Sequence, residues 1–252
     1  MKHQRVKLQP AWVLHRRDFR DSSQIVDILT PEHGRLSVVA RGIKRPKNRH
    51  RGLLQPFSPL LVSWAGKSEL VTLTDVERGT GDSAALAGEH LLSGFYLNEL
   101  MLRLTHRYDP QPELFSLYGT TIDALAGAAQ PAVALREFEL DLLRILGFGL
   151  NLTRDAQTGA QIDADGEYTF AIDQGPIRCA AVHEQEATIR GSLLLAMAAR
   201  DWSLAETKSQ ARHILARAID WQLDGKPLQT RRVLRHMRRS AGSPTNNTQA
   251  EE

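Results

Sequence analysis

Thr30-Pro31-Glu32-His33-Gly34-Arg35-Leu36-Ser37-Val38-Val39-Ala40-Arg41 is the stretch that decides the reading of the first part of the chain. Pro31 fixes its own φ and Gly34 is free to take a positive one, so Thr30–Gly34 reads as a turn. Beyond it Leu36, Val38 and Ala40 share one face, and Arg35, Ser37 and Val39 the other, which is the period of a strand. Working outward, strands are expected at Gln9–Arg16, Ser23–Leu29, Arg35–Arg41, Leu54–Ala65 and Glu69–Arg78, with Ala65-Gly66-Lys67-Ser68 turning between the last two. Five short strands at regular spacing suggest a small barrel or sandwich, and an OB-type barrel is a natural five-stranded solution.

The pattern changes near Asp82. Leu91, Leu92, Phe95 and Leu102 recur at helical spacing to about His106. Asp109-Pro110-Gln111-Pro112 interrupts, a second helix covers about Glu113–Gly127, and Pro131 opens a third. That third helix is expected to bury Val133, Phe138, Leu142 and Ile145 and to stop at Gly147-Phe148-Gly149. Residues 151–186 are polar and lack a helical period, and Asp163-Ala164-Asp165-Gly166 reads as the turn of a small hairpin followed by a strand at Tyr168–Ile172. Helices resume near Gly191, and Ser203-Leu204-Ala205-Glu206 has capping-box spacing for one running to about Asp224. The fold class is therefore α+β: an N-terminal five-stranded OB-type β-barrel (1–80), then a mainly α-helical C-terminal domain (81–240) with a polar insertion at about 151–186, and a disordered tail at 241–252.

In 252 residues, 42% hydrophobic and 24% charged, the composition is that of an ordinary globular protein. No apolar run approaches the roughly 20 residues that cross a bilayer, and the single cysteine, Cys179, cannot form an internal disulfide. A cytoplasmic protein away from membranes is the expectation. The net charge of +3 hides an asymmetry. Residues 1–80 hold 15 Lys/Arg against 7 Asp/Glu, and the remainder 17 against 22, so the first part is suited to a polyanion.

Arg41-Gly42-Ile43-Lys44-Arg45-Pro46-Lys47-Asn48-Arg49-His50-Arg51-Gly52 carries six Lys/Arg in twelve residues and reads as a mobile basic loop. Phosphates spread along a backbone need several dispersed cations, each releasing condensed counterions; the alternative is a solvated loop without a specific partner. Trp12, Phe19, Phe57 and Trp64 are candidates for stacking on bases, with core packing the competing role. A second cluster, Arg231-Arg232-Val233-Leu234-Arg235-His236-Met237-Arg238-Arg239, suits either further DNA contacts or a helix whose cations complement its own dipole. The candidate DNA contacts are thus Arg35, Arg41, Lys44, Arg45, Lys47, Arg49, Arg51, Arg231, Arg232 and Arg235. No Gly-x-Ser-x-Gly, phosphate-loop or His-rich metal motif occurs, and Asp163, Asp165 and Glu167 form only part of a calcium-loop pattern, so no catalytic or metal-ligating residue is assigned.

Several segments resemble the bacterial RecO family, in order over about residues 5–235: Ala11-Trp12-Val13-Leu14, Gly34–Gly42, Gly52-Leu53-Leu54-Gln55-Pro56-Phe57-Ser58-Pro59-Leu60-Leu61, Ser93-Gly94-Phe95-Tyr96-Leu97-Asn98-Glu99-Leu100, Leu146-Gly147-Phe148-Gly149 and Gly225–Arg231. The resemblance implies a non-enzymatic, nucleoid-associated DNA-repair mediator. Such a protein binds single- and double-stranded DNA, anneals complementary strands, and works with RecR and the single-strand-binding protein SSB to help RecA onto SSB-coated DNA. It also implies that the helical domain takes the acidic, apolar C-terminal tail of SSB, with Arg136 at a position matching a basic residue of the family. Some members carry a four-cysteine zinc site after the Leu-Gly-Phe/Tyr-Gly motif. Here Asp155 and Thr158 stand at the first pair's positions and only Cys179 remains nearby, so no structural zinc and no cofactor are expected. A protein-interaction scaffold without direct DNA binding and a metal-dependent nuclease are the competing classes.

Overall fold

The computed structural model describes residues 4–67, 70–80, 85–127, 130–179 and 188–234. The chain opens with β1 (Gln4–Phe19), β2 (Ser23–Thr30), β3 (Gly34–Ala40), β4 (Leu60–Gly66) and β5 (Leu70–Arg78). They close a barrel in the order β1-β2-β3-β5-β4, antiparallel except for the parallel β3/β5 pair, the five-stranded OB-type arrangement. β1 is longer than its hydrophobic pattern indicates because it pairs with β4 through its first half and with β2 through its second. Register shifts between Val6 and Gln9 and between Val13 and His15 bend it around the barrel. The fourth strand, expected from Leu54, starts only at Leu60: Pro56 and Pro59 lack the donors a ladder needs, and Phe57 has φ 64°.

Alternation along the strands feeds two cores. Ala11 and Val13 of β1 join Leu36, Val38, Ala40, Val62 and Trp64 inside the barrel. Trp12 and Leu14 point outward and join the core of the helices. Those helices are α1 (Gly88–Leu104), α2 (Pro112–Gly127) and α3 (Pro131–Ile145). Trp12 meets Tyr118 of α2 with ring centroids 5.5 Å apart. Asn98 of α1 is buried; its Nδ2 donates to the Leu14 carbonyl (2.9 Å) while its Oδ1 accepts from the Tyr118 hydroxyl (2.6 Å). The barrel wall and the helices thus share one apolar and hydrogen-bonded seam.

Gly34, at the β2–β3 turn, has φ 63°, and a Cβ there would lie 2.2 Å from the Asp109 carbonyl oxygen, so only glycine lets the α1–α2 connection close on the barrel. At the end of α3, Gly147 (φ 85°) and the bond from Phe148 N to the Leu143 carbonyl (2.8 Å) make the expected left-handed stop.

The polar insertion holds β6 (Glu167–Ala171), β7 (Gly175–Arg178) and β8 (Ile189–Arg190), ordered β7-β6-β8. The hairpin turn lies at residues 172–174, not at Asp163–Gly166; the latter leads into β6, and Gly166 faces Gly191, whose N–H donates to its carbonyl. α4 (Gly191–Ala198) and α5 (Ala205–Gln222) complete the fold. The capping box at Ser203 does not form: Ser203 N donates to Asp201 Oδ1 in a local turn, and Leu204 takes the N-cap without a side-chain bond. The expected disordered tail lies outside the described residues.

Candidate nucleic-acid interface

The β3–β4 connection carries the basic cluster, and it is stitched rather than open. Successive turns run from Arg45 N to the Gly42 carbonyl (3.0 Å), Asn48 N to Arg45 (3.0 Å), Arg51 N to Asn48 (3.1 Å) and Leu53 N to His50 (3.1 Å). Asn48 fastens the loop twice, donating from Nδ2 to the Gly42 carbonyl (3.1 Å) and accepting at Oδ1 from His50 N (2.8 Å). Ile43 and Leu54 insert into the barrel core at either end. The loop that was expected to be mobile is thus a series of turns anchored by Ile43, Leu54 and the Asn48 amide, while Arg41, Lys44, Arg45, Lys47, Arg49 and Arg51 all remain exposed.

These six cations divide into two groups. Lys44 Nζ lies 3.0 Å from Asp18 Oδ2, and this bond holds the Asp18 carboxyl below its usual range. Arg49 Nη2 lies 3.0 Å from Asp75 Oδ1. Both pairs are solvent-exposed and screened by water, hence weak, so a phosphate can replace either carboxylate. Arg41, Arg45, Lys47 and Arg51 form no ion pair among the described residues.

Beside Arg41 and Arg45 lies a cleft of about 520 Å³ whose lining includes Phe19, Arg20, Val39, Leu70 and Thr72. The Arg20 guanidinium sits 5.1 Å from the centre of the Phe19 ring. Of the four aromatic candidates, Trp12 (8% exposed), Phe57 (5%) and Trp64 (1%) are core residues, whereas Phe19 is half-buried at the cleft. Arg20 was not singled out by the sequence; it opens the first turn directly after Phe19, and that adjacency was the available signal.

The remaining candidate cations are placed elsewhere. Arg35 is directed away from the loop, toward Thr105 at the end of α1, donating from Nε to Oγ1 (3.0 Å) and from Nη2 to the carbonyl (2.7 Å). Burial and the nearby Arg107 lower its pKa. Arg231 does not project outward: it donates to Asp220 Oδ1 (2.9 Å) and to the Tyr96 hydroxyl (3.0 Å), lying 5.5 Å above the Tyr96 ring. Arg232 is exposed on the last described helical turn, and Arg235 lies outside the described residues. Arg136 is largely buried (11% exposed), 2.8 Å from Glu139 Oε1, which also accepts from the Tyr96 hydroxyl (2.6 Å). Burial raises the pKa of Glu139.

At the positions where a zinc site could begin, Asp155 and Thr158 bond to each other. Asp155 Oδ1 accepts from Thr158 N (2.7 Å), Thr158 Oγ1 (2.8 Å) and Gln157 N (3.0 Å), and Oδ2 from Arg178 N (2.7 Å). One buried carboxylate therefore joins the two halves of the insertion. The Thr158 and Arg178 bonds hold its pKa below the usual carboxylate range. Among the described residues no three His, Cys, Asp or Glu side chains converge on a possible metal position, and no described helix is long and apolar enough to cross a membrane.

Residues 3–79 match the family model for the N-terminal part of recombination protein O, and residues 86–232 the model for its C-terminal part. The chain belongs to the RecO family. It is 44% identical over 247 residues to the DNA repair protein RecO of Alkalilimnicola ehrlichii, covering 97% of each chain. The corresponding protein of Azoarcus sp. strain BH72 is 41% identical over 237 residues, 93% of this chain and 97% of the relative. That of Nitrosococcus oceani is 42% identical over 235 residues, 93% and 95%. The family assigns the chain to DNA repair and recombination, and the RecO reading made from the sequence segments agrees with it.

Proposed function

We propose that this RecO-family chain binds single- and double-stranded DNA on the barrel, anneals complementary strands, and with RecR helps load RecA on SSB-coated DNA. The observation that carries the reading is the ordered β3–β4 loop with Arg41, Arg45, Lys47 and Arg51 exposed and free of carboxylates among the described residues. A fixed backbone with dispersed cations neutralises phosphates along a strand while leaving its bases able to pair. Annealing then needs no chemical step: two strands are held close while their mutual repulsion is screened.

The helical part supplies the protein contacts in this reading. An SSB tail would place its terminal carboxylate on the edge of the Arg136 guanidinium not committed to Glu139; Arg136 Nε is buried without a partner. Exposed Arg232, and Arg235 beyond the described residues, would extend the DNA path.

The test is annealing of labelled complementary oligonucleotides, bare and SSB-coated, with and without the protein. Acceleration in both cases supports the mediator reading. Wild-type protein that binds neither strand nor duplex leaves the scaffold reading, and cleavage with magnesium or manganese points to the nuclease.

A further inference from the structure

Resting on the DNA-binding reading, we infer that the cleft beside the basic loop is a base-stacking subsite for single-stranded DNA, with one unstacked base lying on Phe19 and its flanking phosphates on Arg41 and Arg45. Phe19 is the last residue of β1 and pairs with Ser23 across the first turn. Arg20 in that turn has φ 56°, a left-handed conformation that a non-glycine residue adopts only when its surroundings hold it there. This conformation accompanies a guanidinium seated over the Phe19 ring; Arg20 is exposed and forms no ion pair among the described residues, so an incoming base can displace it from the ring.

The lining suits a nucleobase better than a phosphate alone. Val39 and Leu70, from the parallel β3/β5 pair, add apolar surface to the ring, and Leu70 is 38% exposed. Ser22, Ser23 and Thr72 bring hydroxyls that can donate to or accept from a base edge without selecting one base. Arg41 and Arg45 stand at the same cleft, so phosphate contacts and a stacking surface are contiguous. The volume, about 520 Å³, lies within the roughly 300–1,000 Å³ of small-ligand pockets. In a duplex each base face is already covered by its neighbours, so the subsite serves single strands and not double strands.

The test measures binding of a labelled oligothymidine, a duplex of equal length and an abasic strand to wild type, Phe19→Leu and Phe19→Trp. Leucine keeps apolar volume at the end of β1 but removes the aromatic face, so it separates stacking from folding. Phe19→Leu is expected to weaken oligothymidine binding roughly 5- to 150-fold, the range for one base stack. Its salt slope, duplex affinity and abasic-strand affinity should stay unchanged, because no cation is lost. Phe19→Trp should retain affinity, with its indole emission changing on adding oligothymidine but not the abasic strand. Unaltered oligothymidine binding by Phe19→Leu, or equal losses on all three ligands, overturns the subsite and leaves the DNA reading standing. Wild type that binds none of the three overturns both.

Discussion

Arg35 on β3 is joined to Thr105 at the end of α1 by two hydrogen bonds, of 3.0 Å and 2.7 Å. The Tyr108 N–H returns to the Arg35 carbonyl at 2.9 Å, so one residue fastens the barrel to the α1–α2 connection through side chain and backbone together. A cation committed in this way supports the fold rather than a ligand. Arg35→Ala should lower unfolding stability by about 1.5–3 kcal/mol, the range for hydrogen bonds to charged groups, while the salt dependence of DNA binding stays unchanged. Chemical denaturation beside an oligonucleotide titration checks both; unchanged stability with a reduced slope would place Arg35 in the DNA path instead.

Asn98 makes the second fastening, between the Leu14 carbonyl and the Tyr118 hydroxyl. Asn98→Ala leaves two buried polar groups unpaired and should cost about 2–4 kcal/mol. Tyr118→Phe leaves one, and the double variant should cost less than the sum because both act on the same bond. Denaturant midpoints of the four proteins measure the coupling, and strict additivity would contradict the shared network.

The polar insertion should be acid-sensitive. The folded-state pKa of Asp155 is depressed by the Thr158 and Arg178 bonds, so its stabilisation is fully present above the unfolded value of about 3.9. That stabilisation is lost as pH falls through the lower folded value. Hydrogen exchange of the Thr158 and Arg178 amides should accelerate relative to the barrel core over that interval, and Asp155→Asn should show weakened protection already at neutral pH. Equal protection at neutral pH in wild type and Asp155→Asn would remove the carboxylate from its central place. Added zinc should leave the protection unchanged.

What the sequence disclosed depended on whether a residue's role is local. Leu36, Val38 and Ala40 alternate, and they do line the barrel interior. Gly147 follows the last apolar turn of α3, and it does end that helix. The parallel β3/β5 pairing that closes the barrel joins residues about thirty positions apart and has no local signature. Asp163–Gly166 has turn composition and reads as the hairpin, but the pairing of Ala171 with Gly175 puts the hairpin turn at 172–174, which from sequence reads in part as strand. Capping-box spacing at Ser203 was present, but Asp201 took its N–H first. The same limit applies to the site: charge shows where cations lie but not what they bond to. Arg41 and Arg45 remained available, whereas Arg35, Arg136 and Arg231 were bound by partners about 70, 3 and 135 residues away. Phe19 was one ring among four until burial removed Trp12, Phe57 and Trp64.

The most direct measurement of the central claim is the salt dependence of single-stranded DNA affinity with Arg41, Arg45, Lys47 and Arg51 all changed to alanine. These four cations carry no competing carboxylate among the described residues, and their backbone is held by Ile43, Asn48 and Leu54, so the variant should fold as wild type does. If each neutralises one phosphate, the log–log slope falls in magnitude by about 3, from roughly 0.7 per contact. A slope equal to that of wild type, from a variant with unaltered stability, would contradict the account and move the DNA off the barrel loop.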